Sequence, residues 1–119
     1  MLPIVRKIVD YMSSNLEREL TLNDFSRYAE LSPSRMRDLF RAQMGISPGR
    51  YLKVLRMEKA RELLETTALS VGQIRARVGM QDHSHFARDF KKTFGVPPSK
   101  YRAKAIDPEI SSKMIKANK

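Results

Sequence analysis

Two short polar clusters carry the groups in this sequence that can do chemistry, and they recur about fifty positions apart. The first is Ser34, Arg35, Arg37 and Asp38, followed by Arg41; the second is His83, Ser84, His85 and Arg88, followed by Lys91 and Lys92. An arginine fork can donate to O6 and N7 of guanine, aspartate can accept from N4 of cytosine, and serine or neutral histidine can make single contacts to several bases. Arg41, Lys91 and Lys92 suit another task, holding phosphate oxygens by charge without reading sequence. Other chemistry is poorly served. The 119 residues include no cysteine, which excludes disulfides, thiolate zinc sites and cysteine nucleophiles. His83 and His85 are two apart and point to different faces of a helix, so they cannot share a metal. The carboxylates are scattered and no glycine-rich phosphate loop occurs, so neither an enzyme nor a cofactor is expected.

The charge balance agrees with a phosphate-rich partner. Twenty-three lysines and arginines face thirteen acids, a formal charge of +10, which accelerates encounter with polyanions and supplies affinity for them. No apolar run approaches the length of a membrane span, and the first twenty residues alternate charge with apolar side chains where a signal peptide would have an apolar centre. The expected setting is cytoplasmic, away from membranes.

The elements that must position these clusters are written twice. SRMRDLFRAQMGISPGRY (34–51) returns as SHFARDFKKTFGVPPSKY (84–101), with Ser34/Ser84, Phe40/Phe90, Gly45/Gly95, Pro48/Pro98 and Tyr51/Tyr101 identical. Upstream, Leu20/Leu69, Thr21/Ser70, Leu22/Val71, Phe25/Ile74 and Ala29/Val78 match at a spacing one residue shorter. The offset changes where a turn between two helices should lie. One supersecondary unit therefore occurs twice.

Along the chain, Ile4, Val5, Ile8, Val9 and Met12 fall on one helical face over 3–16, opposite Arg6, Lys7 and Asp10. Thr21 with Asp24, and later Ser70 with Gln73, read as capping boxes opening two short helices. Ser32-Pro33 and Asp82 cap the partners of these helices, whose inward residues are Met36, Leu39 and Phe40, then Phe86, Phe90 and Phe94. Between the copies, Pro48 to Thr66 carries Tyr51, Leu52, Leu55, Ala60, Leu63 and Leu64 at helical spacing, a rod of about 26 Å over roughly 17 residues. No strand signal occurs, so the fold is expected to be all-α. Two short helices with a tight turn, the second capped and polar, form a helix-turn-helix pattern. Two such units joined by a rod comparable with one turn of duplex would let one monomer address two successive major grooves, whose equivalent sites recur about 34 Å apart.

LSPSRMRDLFRAQMGISPGRYLKVLRMEKARELLETTALSV together with VGMQDHSHFARDFKKTFGVPPSKYR resembles the DNA-binding domain of the AraC/XylS family of bacterial transcription regulators, over about 5–102. The resemblance implies a seven-helix domain of two homeodomain-like helix-turn-helix subdomains joined by a linker helix. The domain is expected over 1–104, with helix-turn-helix units at about 21–44 and 70–94, the linker at about 48–66, and a basic tail at 105–119. Carried over residue by residue, the family's base-reading positions fall on Ser34, Arg35, Arg37 and Asp38, and on His83, Ser84, His85 and Arg88. The implied function is a sequence-specific regulator, an activator, with double-stranded promoter DNA and RNA polymerase as partners. The resemblance leaves two arrangements open: an amino-terminal effector-binding or dimerisation domain missing from this chain, or the DNA-binding domain alone, since the family contains both.

The competing readings are a solvated basic face, Asp38 serving only to fix a neighbouring arginine, and a protein-interaction module that docks on polymerase with DNA secondary. Three residues depart from the family pattern. Glu30 stands where glycine is usual, so it must take a positive φ or shift the turn. Arg75 replaces a small residue, which puts the packing of the second unit in doubt and passes the inner position to Ala76. Met80 replaces a phenylalanine.

Overall fold

The computed structural model describes residues 1–106. They form seven α-helices and, among the described residues, no strand: α1 (Pro3–Ser14), α2 (Leu22–Ala29), α3 (Pro33–Met44), α4 (Pro48–Thr66), α5 (Val71–Arg77), α6 (His83–Phe94) and α7 (Pro98–Ile106). Of the basic tail expected at 105–119, residues 105 and 106 belong to α7 and the rest lies outside the described residues. Two compact units divide the chain between Arg56 and Met57, within α4.

The first unit is built around α1 to α3. Val5, Ile8 and Met12 of α1 are fully enclosed with Leu16, Phe25, Ala29, Met36, Phe40 and Leu52. Each such large side chain, removed from water, contributes about 1.5–3 kcal/mol. Ile4 and Val9 flank that stripe and are only partly covered, while Arg6, Lys7 and Asp10 face solvent. Arg56, near the end of this unit, donates from Nη2 to the carbonyl of Arg18 at 2.8 Å and so ties the α1–α2 connection to α4. Burial lowers its pKa from the ordinary guanidinium value.

The second unit repeats the plan. Met57, Ala60 and Leu64 of α4 pack with Ile74, Val78, Phe86, Phe90 and Tyr101. Met57, which the periodicity of α4 did not single out, is 1% exposed. The aromatic pair that closes each core is the same: Phe40 meets Tyr51 edge-on at 5.5 Å between ring centroids, and Phe90 meets Tyr101 edge-on at 5.5 Å. Tyr101 also donates its hydroxyl proton to Glu65, and Arg102 donates to the carbonyls of Leu64 at 3.3 Å and Thr67 at 3.2 Å. The bond to Leu64 satisfies one of the open carbonyls in the last turn of α4, and the bond to Thr67 holds the residue that follows the helix.

Candidate nucleic-acid interface

Each unit sets its second helix with a cap. Ser32 accepts from the N–H of Arg35 at 3.2 Å and Pro33 occupies the first turn of α3, where a missing N–H costs nothing. Asp82 accepts from the N–H of His85 at 2.8 Å. That backbone hydrogen bond is the main reason its carboxyl lies below the ordinary carboxylate range. The first helices carry complete capping boxes, Thr21 with Asp24 and Ser70 with Gln73.

With Met36 and Phe40 turned inward, α3 leaves Ser34, Arg35, Arg37, Asp38 and Arg41 exposed on its other faces. Phe86 and Phe90 do the same for α6, leaving His83, Ser84, His85, Arg88, Lys91 and Lys92 exposed. Every sequence-selected site residue therefore lies on the solvent side of its own helix. Arg37 Nε and Asp38 Oδ1 are 3.9 Å apart, with both side chains more than half exposed. A long, solvated pair of this kind contributes little and leaves the arginine fork available.

Beside each cluster lies an open hollow. Arg41, Gly45, Ile46, Ser47 and Arg50 line one of about 200 Å³ in the first unit; Ala87, Arg88, Lys91, Lys92, Gly95 and Pro97 line one of about 590 Å³ in the second. Arg50 was not among the sequence-selected residues. Its match with Lys100 in the duplicated stretch is the signal that could have found it.

The turns behave differently from one another. Glu30 sits at φ 57° and ψ 39°, the left-handed region, and is the only non-glycine residue there among those described. It takes the conformation that Gly79 takes in the second unit at φ 76°. The inner position does not pass to Ala76, which is exposed; it stays with Arg75, which is half-buried. A guanidinium fits because its Nη1 finds two carbonyl partners, Met80 at 2.9 Å and Gln81 at 2.8 Å. Met80 packs, partly covered, against the second core.

The match to known proteins follows the same residues. A family model described as a helix-turn-helix domain matches residues 25–104. The chain is 36% identical over 100 residues to the arabinose operon regulatory protein of Escherichia coli, covering 83% of this chain and 34% of that protein. An AraC-type DNA-binding-domain regulator from Chromobacterium violaceum superposes with a TM-score of 0.81 at 30% identity, covering 89% of this chain and 95% of that one. The DNA-binding domain of AdpA, solved in complex with a target DNA, gives a TM-score of 0.81 at 25% identity over 87% of this chain and 96% of that one. With its duplicated helix-turn-helix units, the chain belongs to the AraC/XylS family of helix-turn-helix transcription regulators. It spans about a third of the length of the arabinose regulator.

Proposed function

We propose that this chain binds duplex promoter DNA sequence-specifically through α3 and α6, each entering a major groove of the same duplex. Ser34, Arg35, Arg37 and Asp38 read base edges from α3, and His83, Ser84, His85 and Arg88 from α6. Arg41, Lys91 and Lys92 hold phosphates and fix the register. The observation that carries this reading is the repeated exposure pattern: in both units the apolar face of the second helix is buried while the donor-bearing face stays open. Donors left in water on a capped helix are free to exchange hydration for base edges, at about 1–3 kcal/mol of discrimination per bidentate contact.

Regulation then follows from where the domain is placed. The chain acts as the DNA-binding domain, spanning 1–104, of a regulator that activates transcription by contacting RNA polymerase, with effector binding or dimerisation supplied by a further domain. The test is selection of bound sequences from a random duplex pool, followed by titration of the selected site across a salt series. The expected result is a preferred site and a steep negative slope of log affinity against log salt. Equal affinity for every duplex would end this reading.

A further inference from the structure

In the first unit the turn between α2 and α3 is closed by Ser26, whose buried hydroxyl donates to the carbonyl of Leu31, while the N–H of Leu31 returns to the carbonyl of Ser26 at 3.1 Å. The second unit repeats the backbone bond at the matching residues, Met80 N–H to Arg75 carbonyl, also at 3.1 Å. The side chain at this position does not repeat, since arginine stands in the place of serine. Its contact does repeat. Arg75 Nη1 donates to the carbonyl of Met80, the counterpart of Leu31, and then reaches one residue further to that of Gln81. Gln81 immediately precedes Asp82, the cap of α6. The Arg75 Nε is enclosed, with no hydrogen-bond partner among the described residues. A guanidinium that accepts such desolvation must be held by the bonds its other nitrogens make.

We infer that Arg75 is a positioning residue for DNA recognition: by clamping the carbonyls of Met80 and Gln81 it fixes how the chain enters α6, and with it the placement of His83, Ser84, His85 and Arg88. The inference rests on α6 being a base-reading helix. Arg75 itself need not touch DNA. Ser26 does the equivalent work in the first unit with one bond, so the second unit uses a longer side chain and a second carbonyl to hold its recognition helix.

The experiment compares Arg75→Ala and Arg75→Ser with the unaltered chain by two readouts. One is the set of backbone amide signals and exchange rates in the DNA-free protein; the other is the ratio of affinities for the selected and random duplexes, with its salt slope. Arg75→Ala should move and speed the amides of Met80 to Phe86, leave those of α2 and α3 in place, and lower the affinity ratio about tenfold, the scale of one misread base pair. Arg75→Ser restores the hydroxyl bridge seen at Ser26 and should recover most of that loss, with the salt slope unchanged. If Arg75→Ser is as damaging as Arg75→Ala and both flatten the slope by about one, Arg75 is a phosphate ligand and the positioning role is overturned. Unmoved amides in Arg75→Ala overturn it as well. Should the alanine variant fail to fold, the serine variant against wild type carries the test through its slope and amides. Equal affinity of the unaltered chain for all duplexes would defeat the functional reading, while the amide signals would still decide whether Arg75 sets the turn.

Discussion

At the residue scale, the proposed separation of base-reading from phosphate-holding side chains has a direct consequence. Arg37→Ala should relax preference at one base position by roughly 1–3 kcal/mol while leaving affinity for random duplex nearly intact, as binding to a panel of single-base variants of the selected site will report. An unchanged panel would remove Arg37 from the reading set. Glu30 offers a test independent of DNA. Its left-handed backbone disfavours any side chain with a Cβ, so Glu30→Gly should stabilise the first unit by about 0.5–1 kcal/mol, read as a shift of the denaturant midpoint at constant slope. The strain was legible, because glycine is what the duplicated unit carries at Gly79. The role of Arg75 was not legible. A long cation between two apolar positions reads as a misfit until the carbonyls it meets are visible in space.

At the element scale, the second core and its closing helix make separate predictions. Phe90 is fully buried and touches Phe86, Phe94 and Tyr101, so Phe90→Ala should cost about 3–5 kcal/mol and collapse the second unit. Amide signals from α1 to α3 should persist, because their own core contains no residue of that cluster. Tyr101 ties α7 to α4 and titrates unusually: burial, followed by its hydrogen bond to Glu65, raises its pKa above the ordinary 10.0. The folded protein thus holds this proton more tightly than the unfolded chain. The stabilisation is complete below pH 10 and is lost as pH rises through the folded value. Tyr101→Phe should be less stable by roughly 0.5–1.5 kcal/mol near neutral pH, and the gap should close in alkaline denaturation curves. Most elements were legible because caps are local: Thr21, Ser32, Ser70 and Asp82 each announce a helix within four residues of sequence. Met57 and Arg56 were not. The turn of α4 that faces each core depends on what packs there, and its own periodicity is weak because the helix serves two cores.

At the scale of the whole molecule, the formal charge of +10 sets the ionic behaviour of the proposed complex. Replacing Lys91 and Lys92 together by alanine should weaken selected and random duplexes alike and flatten the slope of log affinity against log salt by about two. A loss confined to the selected site would show that these lysines read bases. The duplication explains why so much of the candidate interface was legible in the sequence: the repeated Phe40/Phe90, Gly45/Gly95, Pro48/Pro98 and Tyr51/Tyr101 mark the inward and turn positions twice, and the polar residues left between them are the outward ones. One further consequence follows from α4 feeding Leu52 into one hydrophobic cluster and Met57, Ala60 and Leu64 into another. The peptide bond between Arg56 and Met57 is a natural crossover point for recombination. A hybrid gene spliced there with a relative would inherit each interior whole, so new pairings of half-sites can arise by shuffling without first repacking either half.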